Sequence, residues 1–322
     1  MKVAYILGGI KMFSRRMNGS NQGQIPRIFL WCSPRSYSTA LEKCMSFVDG
    51  VQVWHEPYMV CRQLELLSNP MLMPPHLFQK FEEAQNEVDA GKHEFHGAKL
   101  EPIDCFSQSW VRGRLEAGER DKKFIFVKDM AAGIIDNLEK LPKGVPCRHT
   151  FLIRHPHGYL NSIRNYVMSI YGYQGDPKLF DVTENNPILH KKNPRDSLYL
   201  LWKTVIANNL EKEPLVIDAD ELITYPHKIL PKYFEALGMP YDPKYLKWDS
   251  EDKVVKQWKG AMEHVLWQKR NGVTSKALAS TEFTPSKSAV TPRSELAPDI
   301  DQFVDFLMVG YKEMHKKRIK PE

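Results

Sequence analysis

The chain has 322 residues, 42% hydrophobic and 26% charged, an ordinary globular composition with enough length for one large α/β domain or two small ones. The net charge of +6 suits an anionic ligand, but the basic residues are spread along the chain, so we predict no nucleic-acid partner. No apolar run approaches the ~18–20 residues that a membrane helix needs, so we predict no membrane partner.

Residues 1–26 are predicted to form an N-terminal tail before a single domain over residues 27–322. No acidic residue occurs before Glu42, which is a feature of transit peptides and also of plain basic tails; we favour the tail. The five cysteines are odd in number, widely spaced and without a Cys-x-x-Cys pair. That pattern predicts reduced thiols in a cytoplasmic protein. The sequence does not indicate an oligomeric state.

Five short apolar segments, rich in β-branched or aromatic residues, predict strands at Arg27–Cys32, Val51–Glu56, Lys123–Asp129, His149–Arg154 and Pro214–Asp220. Their apolar runs are continuous, as in strands that are covered on both faces of a parallel sheet. Helical patterns lie between or after them, at residues 36–48, 159–171, 198–206 and 226–237. We therefore predict an α/β domain with a mostly parallel sheet of about five strands flanked by helices.

Three long stretches interrupt this pattern, near residues 58–110, 172–195 and 271–298. Loops of this length in a compact domain are usually lids or binding segments. We expect them to select the ligand that binds above the sheet, and Tyr171, Tyr173 and Phe180 indicate an apolar or aromatic wall there.

Polar groups follow the predicted strands, and in open α/β sheets ligands bind beyond the carboxyl ends of the strands. The first strand leads into Ser33–Thr39, the second delivers His55 and Glu56, the third Lys128, and the fourth Arg154. If these ends share one edge, they form a polyanion site with a carboxylate and a histidine beside it.

The turn after the first strand would present backbone N–H groups and the positive end of a helix dipole, which together bind phosphate. Arg35 can add a bidentate charge, and the hydroxyls of Ser36, Ser38 and Thr39 add donors. A plain helix start capped by Ser or Thr is the alternative interpretation. The nucleoside triphosphate pattern G-x-x-x-x-G-K-[ST] is absent.

Two segments resemble motifs of the sulfotransferases that use 3′-phosphoadenosine 5′-phosphosulfate (PAPS). Cys32–Leu41 resembles the 5′-phosphosulfate loop of that family, with Tyr37 where the family usually has Gly. Phe151–Pro156 resembles the 3′-phosphate motif, in which an Arg ends a strand and a Ser follows eight residues later, as Arg154 and Ser162 do here. A Lys-Arg-Asn-Gly run ending at Gly272 loosely matches a C-terminal segment that closes on the 3′-phosphate in cytosolic members.

This resemblance implies a P-loop-like sulfotransferase fold and transfer of a sulfuryl group from PAPS to a hydroxyl or amine of a small-molecule acceptor. The product would be 3′-phosphoadenosine 5′-phosphate (PAP), and the family requires no metal. The residues that it marks as binding PAPS are Arg35, Ser36, Tyr37, Ser38, Thr39, Arg154, Ser162 and Arg270.

The resemblance also implies the catalytic groups. Arg35 and Lys128 would stabilise charge on the donor, and the family's general base is either Glu or His. Here His55 and Glu56 are adjacent, and alternation along a strand would point only one of them at the acceptor. We favour Glu56, because the Glu-Pro pair resembles the branch that uses Glu, and His55 stays open as the alternative.

Two other functions are consistent with a strand–loop–helix phosphate site. One is a phosphotransferase that uses magnesium and ATP with an atypical loop. The other is a non-catalytic nucleotide-binding protein of the same fold. Turnover of ATP with Mg²⁺ would favour the first, and PAP binding without transfer to any acceptor would favour the second.

Overall fold

The computed structural model describes residues 24–68, 75–92, 99–170, 172–183, 195–250, 252–285 and 291–322. Most of the predicted N-terminal tail, Tyr171 and parts of the three long stretches lie outside these residues. The strands are β1 (Arg27–Cys32), β2 (Val51–His55), β3 (Phe124–Met130), β4 (Cys147–Ile153) and β5 (Leu215–Asp218). The helices are α1 (Ser38–Ser46), α2 (Pro57–Leu67), α3 (Pro75–Asp89), α4 (Gln108–Ala117), α5 (Pro156–Ile170), α6 (Ser197–Ala207), α7 (Ala219–Thr224), α8 (Pro226–Leu237), α9 (Met262–Arg270), α10 (Ser275–Ala279), α11 (Pro298–Asp301) and α12 (Val304–His315).

The five strands form one parallel sheet in the order β2-β3-β1-β4-β5. This confirms the predicted α/β fold class. The chain starts at the central strand, builds one half of the sheet with β2 and β3, and then builds the other half with β4 and β5. The direction of winding therefore reverses between β1 and β4, and the crevice beyond their carboxyl ends is where such sheets bind ligands.

Both faces of the sheet are covered, which explains the continuous apolar runs. On β1, Ile28 and Leu30 belong to the core shared with α1 and α8, while Phe29 and Trp31 belong to the core shared with α2, α4 and α6. All four side chains are fully buried. No helix among the described residues is both long enough and apolar enough to cross a membrane.

The stretch 58–110, predicted as a lid insertion, contains nearly all of α2, all of α3 and the start of α4. Tyr58 of α2 and Val111 and Leu115 of α4 are buried in the core on the β1 side that carries Trp31. The carboxylate of Asp129, at the end of β3, accepts hydrogen bonds from the backbone N–H groups of Tyr58 and Met59 (2.6 and 3.1 Å) and so holds the start of α2. α2 and α4 thus belong to the layer that covers the sheet, and Phe81 and Ala84 of α3 are also buried in the core.

His149 of β4 lies in the core as a neutral imidazole. Its Nδ1 accepts the indole N–H of Trp31 (3.0 Å), and its ring stacks on Phe29 with 5.2 Å between centroids. Burial, and secondarily the charge of Arg148, lowers the pKa of His149 to about 4. The unfolded chain therefore binds a proton at this residue below its ordinary pKa of about 6.5, while the folded chain does not.

We expect His149 to lower the free energy of unfolding as the pH falls from about 6.5 to 4. The loss should reach about 3 kcal/mol at pH 4, because each unit of pKa shift corresponds to about 1.4 kcal/mol. Urea unfolding across this range checks the effect against a His149→Gln variant, whose amide can accept the same N–H without titrating. The variant should lose less stability than the wild type on acidification. Parallel pH profiles for the two proteins would contradict the prediction.

Candidate active site

The β1–α1 loop, Ser33–Tyr37, has an unusual backbone. Arg35 and Tyr37 both adopt left-handed conformations, with φ of 63° and 61°. Such conformations cost about 1–3 kcal/mol each in a non-glycine residue and are concentrated at functional sites. The Ser36 hydroxyl donates to the Ser33 carbonyl (2.7 Å) and braces the turn. In the described part of the chain no side chain caps α1, and its first turn holds no acidic residue, so its positive end can receive an anion.

Tyr37 stands at the position that is usually Gly in the family that the loop resembles, and its positive φ gives the reason for that preference. We expect Tyr37→Gly to be more stable than Tyr37→Ala by about 1 kcal/mol, because both remove the ring but only alanine resists φ > 0. At Ala40, inside α1, the order should reverse, and glycine should cost about 1 kcal/mol relative to alanine. Urea unfolding of the three variants tests this, and an Ala variant at Tyr37 as stable as the Gly variant would contradict it.

Arg35 joins the two segments that were identified as phosphate motifs. Its Nε donates to the Ser162 hydroxyl on α5 (3.2 Å), and its Nη1 donates to the Val273 carbonyl (3.1 Å). Its guanidinium also lies 5.5 Å from the ring centre of Tyr166, one turn after Ser162. A residue that follows β1, a residue of α5 and a residue of the 271–298 stretch therefore meet at one side chain.

Arg154 follows β4 and closes the other side of the loop. Its Nη1 donates to the Arg35 carbonyl (2.6 Å), and its Nη2 donates to the Tyr37 hydroxyl (2.8 Å). Its guanidinium covers the Tyr37 ring at 4.2 Å. The Arg154 Nε is buried without a hydrogen-bond partner in the structure, although Asp220 lies 3.7 Å from it. A buried N–H of this kind is costly unless a ligand or water completes it.

A second unpaired donor lies close to Arg35. Thr274 is 1% exposed, it follows Val273 directly, and its hydroxyl has no hydrogen-bond partner in the structure. A shallow cleft opens beyond β1 and β4, with Ser33, Arg154 and Tyr311 among its lining residues. The loop therefore has buried polar atoms and an opening beside it, as an anion-binding site requires.

The remaining predicted phosphate ligands differ in their placement. Ser38 is buried at the start of α1, and Thr39 is half-buried beside it. Arg270 ends α9 and forms an ion pair with Glu87 of α3, with its side chain 44% exposed. The part of its segment that reaches Arg35 is the carbonyl of Val273, three residues later.

His55, Glu56 and Lys128 lie together beneath this loop. Lys128 is in register with His55 on the neighbouring strand, and its ammonium donates to the Glu56 carboxylate. All three side chains are buried, at 2% exposure or less. Glu56 follows the end of β2 in a left-handed conformation (φ 51°), so strand alternation does not apply to it, and both His55 and Glu56 reach the same neighbours. Strand alternation therefore does not separate the two side chains, and the expectation that only one of them faces the acceptor stays a prediction.

Four residues that the sequence analysis did not single out complete a buried network around these three. Both carboxylate oxygens of Glu42 lie 2.9 Å from His55 Nδ1. Gln268 lies 2.9 Å from His55 Nε2 through its oxygen and 2.8 Å from Glu56 through its nitrogen. We call the following seven residues the buried network: Glu42, His55, Glu56, Gln63, Lys128, His264 and Gln268.

Opposite charges face each other in the buried network. Burial by itself raises the pKa of Glu56, but the Lys128 ammonium and then the two histidines outweigh it and hold that pKa well below its usual range. Burial by itself lowers the pKa of Lys128, but Glu56 and Glu42 outweigh it and raise that pKa. Glu56 is therefore a carboxylate and Lys128 an ammonium at neutral pH.

His55, Glu56 and His264 bring possible metal-ligand atoms within 4.8 Å of one another. The Gln268 amide nitrogen lies 2.8 Å from both Glu56 and His264, and the Lys128 ammonium contacts Glu56. A metal ion would have to displace both groups. In the structure these three residues therefore take part in a hydrogen-bond network.

Comparison with known proteins gives a likeness of fold. No protein-family model matches the chain, and no curated protein matches it in sequence.

The solved structures that it matches include sulfotransferases. The sulfotransferase domain of the curacin biosynthetic pathway is 17% identical over 88% of this chain and 98% of that chain, with a TM-score of 0.42. The corresponding domain of the Synechococcus PCC 7002 olefin synthase is 16% identical over 88% and 95%, with a TM-score of 0.41. A mouse sulfotransferase complexed with PAP is 15% identical over 90% and 89%, with a TM-score of 0.43. Such values do not assign an activity, which must be argued from the residues of the site.

Proposed function

We propose that this chain is a sulfotransferase that uses PAPS as donor and a hydroxyl or amine of a small molecule as acceptor. The observation that carries the proposal is the meeting of the two motif segments at one site. Arg35 donates to Ser162, and Arg154 donates to the carbonyl of Arg35, although these residues are more than a hundred positions apart in the sequence.

The donors at this site suit a ligand with two anionic ends. The β1–α1 loop and the start of α1 offer one set of donors, and Arg154 with Ser162 offers another. The unpaired Nε of Arg154 and the unpaired hydroxyl of Thr274 are buried groups that such a ligand would satisfy. The sequence lacks the Gly-Lys-Ser/Thr that would hold magnesium and ATP, so we prefer PAPS.

Each residue then has a role. Arg35 and the backbone of residues 36–39 bind the 5′-phosphate end, and Arg154 with Ser162 binds the 3′-phosphate. PAPS supplies the sulfuryl group. Glu56 or His55 takes the proton of the acceptor, and Lys128 keeps the Glu56 carboxylate ionised and adds positive charge beside it. The acceptor would be selected by residues of the 58–110, 172–195 and 271–298 stretches.

Calorimetric titration with PAP tests the function, with adenosine 5′-phosphate and with ATP plus Mg²⁺ as controls. We expect PAP to bind at least about tenfold more tightly than adenosine 5′-phosphate, because a charge-assisted contact is worth about 1.5–3 kcal/mol. Preference for ATP with Mg²⁺, or no PAP binding, would overturn the proposal. PAP binding without PAPS turnover on a broad panel of phenols, alcohols and amines would indicate a non-catalytic binding protein.

A further inference from the structure

Gln268 connects the two candidate bases. It lies on α9, one turn after His264, so both side chains project from the same face of the helix towards β2. Its side-chain oxygen lies 2.9 Å from His55 Nε2, and its nitrogen lies 2.8 Å from Glu56 Oε2 and 2.8 Å from His264 Nε2. Gln268 is 2% exposed, so water does not compete for these contacts.

The donors and acceptors around Gln268 can be counted. A carboxamide offers two N–H donors and one acceptor oxygen. One N–H group matches the Glu56 carboxylate, whose Oε2 lies 2.8 Å from the amide nitrogen. His264 Nε2 lies 2.9 Å from the same Oε2, and His264 Nδ1 lies 2.6 Å from the Gln63 side-chain oxygen. The oxygen of Gln268 is left for His55, and an oxygen there requires a proton on His55 Nε2.

His55 must also carry a proton on its other nitrogen. Its Nδ1 faces only the two carboxylate oxygens of Glu42, which are acceptors. Both ring nitrogens are therefore donors, and His55 is an imidazolium. With the amide of Gln268 reversed, its oxygen would lie against the Glu56 carboxylate, two acceptors 2.8 Å apart, which the low dielectric of a buried site makes costly.

The charged groups that face His55 agree with this assignment. Glu42 lies on α1, Glu56 at the start of α2, Lys128 on β3 and His264 on α9, while the Trp258 ring stacks on the imidazole at 4.7 Å. Burial by itself lowers the pKa of His55, but the two carboxylates outweigh it and raise that pKa. The pKa of His264 is lowered by burial, consistent with a neutral ring.

We propose that Gln268 is a positioning residue that holds His55 as an imidazolium and thereby leaves Glu56 as the base. This inference deepens the sulfotransferase function proposed above and rests on it. His55 cannot accept a proton while both of its ring nitrogens donate. The Glu56 carboxylate can accept one, and the N–H of Gln268 orients it for that step.

Nitrogen NMR of the full chain with ¹⁵N-labelled histidine tests the assignment, with the His55 signals identified from a His55→Gln variant. In the wild type both ring nitrogens of His55 should be protonated at pH 7.5. Gln268→Met keeps the side-chain length but removes the acceptor, and should raise the acid dissociation constant of the His55 imidazolium about tenfold or more.

Gln63→Met is the matched control, since Gln63 is an amide of the same network that touches His264 and not His55. It should leave the titration of His55 unchanged. A neutral His55 in the wild type, or an equal shift in the Gln63 and Gln268 variants, would overturn the role of Gln268. PAP calorimetry distinguishes failure of this inference from failure of the proposed function. Gln268→Met should bind PAP like the wild type. If neither the wild type nor any variant binds PAP, the sulfotransferase function fails, and the assignment of Glu56 as the base fails with it.

Discussion

Replacing Arg154 with alanine is expected to weaken PAP binding by about 10- to 100-fold, the range that corresponds to about 1.5–3 kcal/mol for a hydrogen-bonded charge. Arg154 donates to the Arg35 carbonyl and to the Tyr37 hydroxyl, so its loss also removes two contacts that brace the strained β1–α1 loop. Calorimetry with PAP measures the effect. Adenosine 5′-phosphate, which lacks the 3′-phosphate, should lose much less affinity.

Arg148 offers a matched control for Arg154. It lies on the same strand but towards the opposite end, where its Nε pairs with Glu211 (2.8 Å) and its side chain is 35% exposed. Arg148→Ala should bind PAP with wild-type affinity. Equal losses in the two variants would mean that net charge, and not the site of Arg154, controls binding, and an unaffected Arg154→Ala would remove the proposed 3′-phosphate contact.

Replacing Lys128 with methionine is expected to destabilise the fold by about 3–5 kcal/mol, the usual cost of removing one partner of a buried ion pair. Lys128 is 2% exposed, it donates to Glu56, and it lies 3.9 Å from Glu42, so its loss leaves two buried carboxylates without their shared cation. Adding Glu56→Gln to this variant removes one of those charges. The double variant should therefore be more stable than Lys128→Met alone. Urea unfolding followed by tryptophan fluorescence measures the stabilities of the wild type, Lys128→Met, Glu56→Gln and the double variant.

An exposed pair gives the contrast for this cycle. Lys203 pairs with Glu313 at 3.2 Å, with exposed fractions of 53% and 42%. Exposed ion pairs contribute little because water screens them, so Lys203→Met should leave the urea midpoint almost unchanged. If the destabilisation by Glu56→Gln instead added in full to that by Lys128→Met, the two residues would not be energetically coupled. The buried ion pair would then not stabilise the site.

The strands were predictable because their signal is local. β1 was predicted with its observed bounds, and the other four strands differ by one or two residues at one or both ends. α8 also has its predicted bounds, and Gly238 follows it in a left-handed conformation. A continuous apolar run and a terminal glycine each lie within one short segment, so a single sequence is enough to recognise the strand or the helix end.

The phosphate-binding candidates were also accessible from the sequence, since each follows a strand and parallel strands end at one edge of a sheet. Arg35, Arg154 and Ser162 do meet in the structure. Arg270 was placed by a loose motif match alone, and the structure pairs it with Glu87 of α3. Which member of a basic run turns towards a loop depends on how the helix before it packs, and a motif does not contain that information.

The sequence alone therefore determined the five strands, four of the helices, the polar edge of the sheet and the candidate bases, because those properties follow from neighbouring residues. The tertiary structure alone decided the environment of the bases. Glu42 gave a faint signal as a charged residue beside the apolar Leu41 and Cys44, but Gln268 is 213 positions from the histidine that it contacts. Protonation in a buried site depends on such distant partners and on one left-handed residue at Glu56, and only the folded chain brings them together.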